Sequence, residues 1–270
     1  MFKLKTFGGL RLDCDRRPLA GAAIRNRSLA VLALVASHRE QGMSRDKVLA
    51  YFWPETDTDR ARNNLKQSLF IMRRALGEEV LTSAGSFLRI DAARLAVDVW
   101  EFEAALDRGT LPAAVALYKG PFLDGFYVSG LPQFERWVEV ERGRLACHYQ
   151  EALEALATGA AAAGDTHAAV MRWRRVVDHD PLSSRTALAL MRALVADGDR
   201  ADALKYAELH ESLLRAELGV DPDTGERTFV EQLRQFVFRH GRPRQHVHKS
   251  TGEVSCFACR TERATSEEDS

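Results

Sequence analysis

Cysteine is scarce in this 270-residue chain, and the four present, Cys14, Cys147, Cys256 and Cys259, are too scattered for a disulfide framework. A reducing compartment would keep them as thiols. Long apolar runs are absent too: the longest, Leu29 to Ala36, falls far short of the roughly 20 residues that a membrane helix needs. The opening residues alternate apolar with polar and run into Gly8-Gly9, without the apolar block or small-residue cleavage site of a signal peptide. A cytoplasmic location is expected, with no membrane partner. No G-x-S-x-G elbow, H-E-x-x-H helix or Gly-rich phosphate loop occurs, so neither an enzyme nor a cofactor is expected.

Net charge is absent as well, but only on average. The 38 Lys+Arg balance 38 Asp+Glu. Residues 1–94 hold 17 basic and 10 acidic side chains, residues 95–238 hold 15 and 23, and residues 239–270 hold 6 and 5. A basic N-terminal module followed by an acidic one fits a nucleic-acid reader joined to a domain that does not bind nucleic acid. The plainer reading is chance fluctuation. With 46% apolar and 28% charged residues the chain is globular, and its length suggests two domains.

Residues 2–7 and 10–12 alternate as short antiparallel strands do, and Pro18 and Gly21 punctuate a turn. From residue 26 to 38 the apolar spacing becomes helical, with Asn26 or Ser28 available as N-cap. Ser44 caps a second helix from Arg45 to about Trp53, where Pro54 stops it. A third starts near Asp57 or Thr58 and ends at Gly77; its Leu65, Leu69, Met72 and Leu76 form one apolar stripe. Two short strands, 80–83 and 87–90, then flank Ala84-Gly85-Ser86 as a hairpin. Strands, three helices and a hairpin are the order of a winged helix-turn-helix.

Beyond Ala96 the strand signal vanishes, and helical segments fall at about 102–107, 111–118, 132–163, 166–178, 183–197, 200–217 and 223–238. Ala163-Gly164-Asp165 and Asp197-Gly198-Asp199 recur at an interval of 34 residues, as do Ala169 with Ala203 and Val170 with Leu204. That period is the tetratricopeptide one; a generic helical bundle is the plainer alternative. The fold class expected is therefore mainly α: a winged helix with small antiparallel sheets at 1–95, then an all-α tetratricopeptide-like domain at 96–236. The remainder, 237–270, loses apolar periodicity and reads as a disordered tail. Within it, Cys256, Cys259, His246 and His248 have half the spacing of a zinc site but almost no apolar residues to pack around a metal, so no metal is assigned.

Opposite the apolar stripe, the third helix carries Asn63, Lys66, Gln67, Phe70, Ile71, Arg73 and Arg74. In a major groove Asn and Gln can bond an adenine edge, Arg a guanine, and Lys a phosphate, while Phe70 and Ile71 can meet thymine methyls. The competing reading makes Arg73 and Arg74 a solvated helix end and places Phe70 and Ile71 in a wider core. Arg45 and Lys47, starting the second helix, are phosphate candidates. Thr82, Ser83, Ser86 and Arg89 on the hairpin can reach the backbone or minor groove, and Arg25 and Arg27 are further phosphate candidates.

Ser44-Arg45-Asp46-Lys47-Val48-Leu49, Trp53, Ala61-Arg62-Asn63-Asn64-Leu65 and Arg73-Arg74-Ala75-Leu76-Gly77 resemble the OmpR-like winged helix of SARP-type bacterial transcriptional regulators. The stretches 98–106, 117–123 and 217–222 are similar to those regulators' bacterial transcriptional activator domain. What the resemblance implies is binding of double-stranded promoter DNA, often at direct repeats, by a homodimer or in tandem. It also implies that the third helix is the recognition helix and that the helical domain serves self-association and contact with RNA polymerase. Family members commonly carry His and Arg where this chain has Ser68 and Ile71, so their base preference is not carried over. With no P-loop, the larger ATP-dependent relatives are not a template. The function expected is that of a DNA-binding transcriptional regulator; the rival is a helical-repeat adaptor that binds protein alone.

Overall fold

A computed structural model describes residues 2–14, 17–18, 26–39 and 41–240. Gly21, Arg25 and the His/Cys pairs of the tail lie outside them. In chain order the N-terminal half contains β1 (Phe2–Lys5), β2 (Arg11–Cys14), β3 (Arg17–Pro18), α1 (Asn26–Ser37), β4 (Met43–Ser44), α2 (Arg45–Phe52), α3 (Thr58–Leu76), β5 (Leu81–Ala84), β6 (Phe87–Ile90) and β7 (Leu95–Val97). Two sheets result, ordered β3-β2-β1-β7 and β4-β6-β5, antiparallel except where β7 runs parallel to β1. This is a winged helix-turn-helix.

Local chemistry sets the helix starts. Asp57, not Thr58, caps α3, its carboxylate accepting from the amides of Asp59 and Arg60 at 3.0 and 3.3 Å. Ser44 caps α2 through the Lys47 amide. Ser28, one of two caps expected for α1, is instead buried inside that helix. The expected turn at Pro18 is an edge strand, where a missing amide hydrogen costs least. The short strand β7 was not expected, and it ends against α4 without a break.

The second half is helical: α4 (Asp98–Asp107), α5 (Leu111–Leu117), α6 (Pro132–Ala162), α7 (Thr166–His179), α8 (Ser184–Ala196), α9 (Arg200–Leu218) and α10 (Thr224–His240). At the α6–α7 and α8–α9 turns the 34-residue interval becomes geometry. The amides of Ala163, Gly164 and Asp165 donate to the carbonyls of Gly159, Ala161 and Ala160, and those of Asp197, Gly198 and Asp199 to Ala193, Val195 and Leu194. Both glycines have positive φ, and both aspartates cap the next helix. The same pattern joins α4 to α5, with Arg108, Gly109 and Thr110 donating to Ala104, Leu106 and Ala105. Each turn is followed by a buried alanine, Ala114, Ala169 or Ala203, which lets paired helices approach closely. The tetratricopeptide-like packing thus begins at α4.

One apolar core runs from Leu4 through Leu145 and takes in both halves. Phe52 of α2 lies 5.3 Å from Phe134 of α6, ring to ring, and Phe7 lies 5.3 Å from Phe102. Polar ties reinforce the seam. Buried Asp98 accepts from the Thr6 amide at 2.9 Å, the Thr6 hydroxyl at 2.6 Å, the Phe7 amide at 3.0 Å and the Val99 amide at 3.0 Å. Trp100 donates its indole hydrogen to the Ala36 carbonyl at 2.8 Å. Beside them the segment between α5 and α6 crosses the end of β1. Gly8 donates to the Pro121 carbonyl at 3.0 Å and Leu123 to the Thr6 carbonyl at 2.7 Å. A Cβ on Gly120 would stand 3.1 Å from the Gly8 Cα, so the crossing needs glycine. Leu123 is buried with φ +49°, a conformation costing a leucine about 1 kcal/mol, and Arg142 holds it there by donating to the Phe122 and Leu123 carbonyls at 2.6 and 2.7 Å.

Burial pushes the Asp98 carboxyl above its ordinary range, and the hydrogen bonds it accepts pull it back. Those donors decide what a substitution costs. In Asp98→Asn either orientation of the amide turns an N–H₂ toward buried N–H groups, and a loss of about 1–3 kcal/mol is expected in chemical denaturation. An unchanged midpoint would show that the seam does not depend on this carboxylate.

Candidate nucleic-acid interface

Helix α3 packs on α1, α2 and β5. Its Ala61, Leu65, Ser68, Leu69, Met72 and Leu76 are buried. The stripe Leu65, Leu69, Met72, Leu76 has spacings of 4, 3 and 4; moved two residues back it becomes Asn63, Gln67, Phe70, Arg74. Two residues are about 200° around a helix, so the second stripe stands opposite the first. Asn63, Lys66, Gln67, Phe70 and Arg74 are all exposed. Phe70 is 65% exposed, which removes it from the core. Ile71 is half-buried and borders this stripe, one turn from both Gln67 and Arg74.

The structure treats the two arginines at the end of α3 differently. Arg74 is exposed, whereas Arg73 turns back onto the hairpin, its Nε donating to the Leu81 carbonyl at 3.1 Å and its Nη2 to the Ser83 hydroxyl at 3.0 Å. From the start of α2, Arg45 places its own Nη2 3.0 Å from the same hydroxyl, and its amide donates to the Ser86 carbonyl at 2.8 Å. The α2 start, the α3 end and the hairpin therefore meet at Ser83. Neither guanidinium has an ion-pair partner among the described residues, so the junction keeps two positive charges on a neutral acceptor.

Around the junction, Lys47, Thr82, Ser83 and Arg89 are exposed. Arg27, before the apolar run of α1, lies with its guanidinium 5.9 Å from the Trp53 ring. Between α2, α3 and the hairpin turn a cavity of about 170 Å³ opens, its polar lining formed by Arg45, Arg62 and Lys66 with one carboxylate, Asp46, and Ser86, and its apolar lining by Leu49, Leu65 and Leu69. Arg62 was not among the sequence candidates. Its position one turn before Lys66 on the same exposed face was the signal that could have found it.

Gly42 sets how the hairpin docks. With φ +66°, it lies so close to β6 that a Cβ would meet the Leu88 carbonyl oxygen at 2.5 Å. The approach lets Met43 and Ser44 pair with Leu88 and Phe87, which fixes the hairpin beside the α2 start.

Residues 86–234 match the profile of the bacterial transcriptional activator domain. Among solved structures the chain is similar to Mycobacterium tuberculosis EmbR in complex with low affinity phosphopeptide, at 20% sequence identity and a TM-score of 0.64. That likeness, which concerns the fold, covers 87% of this chain and 65% of the EmbR chain. No curated protein matches.

Because Arg73 braces the hairpin and Lys66 braces nothing, their removal should differ in denaturant. Arg73→Gln is expected to cost about 1 kcal/mol of unfolding free energy. Lys66→Ala should stay within about 0.5 kcal/mol of the parent. Equal effects would contradict the division between a bracing and a free cation.

Proposed function

The chain belongs to the bacterial transcriptional activator domain family, with the SARP-type order of a winged helix followed by that domain, and from this premise we propose that it regulates transcription by binding promoter DNA through α3. The reading divides it into a DNA-binding module at 1–95 and an activator domain at 96–236. The observation that carries the proposal is the polar stripe of α3, left open to solvent while the rest of the N-terminal half shares a core with the helices.

In this reading α3 lies in the major groove. Asn63 and Gln67 bond adenine edges and Arg74 a guanine, each such pair contributing about 1–3 kcal/mol of discrimination. Lys66, Lys47 and Arg45 neutralise phosphates and set the register without reading sequence. Arg73 and Ser83 contribute by holding the hairpin and by keeping positive charge near the backbone, and Thr82 and Arg89 extend that surface along the hairpin. Ile71, half-buried at the edge of the stripe between Gln67 and Arg74, adds an apolar border to the surface that enters the groove. The tetratricopeptide-like helices, whose net charge is negative, take the protein contacts: a second copy on direct repeats, as a dimer or in tandem, and RNA polymerase.

Mobility shift at rising salt against a promoter pool separates these roles. Lys66→Ala should weaken binding about equally for all bound sequences and flatten the slope of log affinity against log salt by about 1. Affinity and slope both unchanged would reject the phosphate role. A parent protein that shifts no duplex at any salt would reject the DNA-binding function.

A further inference from the structure

Resting on the proposed contact between α3 and the major groove, we infer that Phe70 reads the C5-methyl group of a thymine. Phe70 sits third in the exposed stripe Asn63, Gln67, Phe70, Arg74, and at 65% exposure its ring meets solvent rather than protein. The residues one turn away on either side, Lys66 and Gln67 before it, Arg73 and Arg74 after it, are polar or cationic. The other exposed large apolar side chains of the described residues belong to other elements, so α3 offers one phenyl ring within a positive surround instead of an apolar patch.

That combination fits one partner. A protein surface that covered the ring would also have to satisfy three polar or charged neighbours, Lys66, Gln67 and Arg74. A major groove supplies phosphates and base-edge acceptors for them, and its one apolar feature is the thymine methyl. Gln67, one helical turn before the ring, can bond an adenine edge, which brings hydrogen-bond and methyl recognition to the same A·T-containing stretch. Phe70 thus acts as a specificity-determining residue whose contact is independent of base-pair hydrogen bonding.

Uracil pairs as thymine does and lacks only the methyl, so it isolates the contact. The duplex is first selected by the full-length protein from a random-sequence pool, and its thymines are then replaced singly by deoxyuridine. Burying one methyl corresponds to about fourfold in affinity. The parent should lose about that factor at one thymine, whereas Phe70→Ala should bind the thymine and uracil duplexes equally there and keep the parental salt slope. Its melting temperature should match the parent's, since the ring supports no core. A selected site without thymine, no sensitive thymine, or the same loss in Phe70→Ala would overturn the inference while leaving DNA binding intact. Failure of the parent to select any duplex would instead remove the DNA-binding reading on which it rests.

Discussion

The Asp98 carboxylate accepts hydrogen bonds from the amide and hydroxyl of Thr6 and from the amide of Phe7 while standing in the first turn of α4. The end of β1 and the beginning of the helical half therefore share one buried acceptor. Around it the Gly8–Gly120 crossing, the Trp100 indole on α1 and the Phe52–Phe134 contact all join the same two halves. A hinge between the modules would have to expose these apolar rings and leave buried amide hydrogens unpaired, each at about 1–3 kcal/mol. The seam consequently fixes the direction in which α3 points relative to the helices behind it. Under the proposed function, a protein partner seated on those helices would be held at a set position on the DNA.

The far end of the helical half is specified by a different device. His210 stands 34 residues after Val176, a fully buried position, and so replaces a core aliphatic with a polar ring. Its Nδ1 lies 2.8 Å from the Glu226 carboxylate of α10, and both side chains are buried. A buried polar pair of this kind contributes little net stability compared with apolar packing, but removing either partner would leave the other buried and unpaired. Nearby, Tyr206 stacks on His210, and burial together with the Glu226 charge pushes its hydroxyl up to about 12. The closing helix α10 thus docks through apolar Val230 and Leu233 as well as through this polar pair.

Much of the exposed face of α3 could be read from the sequence because amphipathic spacing is a local signal. The stripe of Leu65, Leu69, Met72 and Leu76 located the opposite face, and Gly77 and the cap at Asp57 bounded the helix. Whether Phe70 belonged to a wider core was not legible, since the elements that cover α3, namely α1, α2 and β5, come from other parts of the chain and only the fold shows that they leave this face open. Arg73 and Arg74 are adjacent in sequence, and only the fold separates the one that braces the hairpin from the one left free. Asp98 gave no local sign of its importance, for its partner Thr6 lies 92 positions away. The turn at Gly109 escaped notice because Thr110 stands where the other two turns have aspartate, and because it precedes Gly164 by 55 residues instead of 34.

Amide hydrogen exchange of the full chain, with and without a duplex chosen by the protein itself, bears most directly on the claim that α3 is the nucleic-acid surface. Slowed exchange is predicted in α3, in the first turn of α2 and in the β5–β6 hairpin, and in α7 to α10 only where a second copy binds the same duplex. Protection confined to the helical half, with α3 exchanging as it does without DNA, would contradict it.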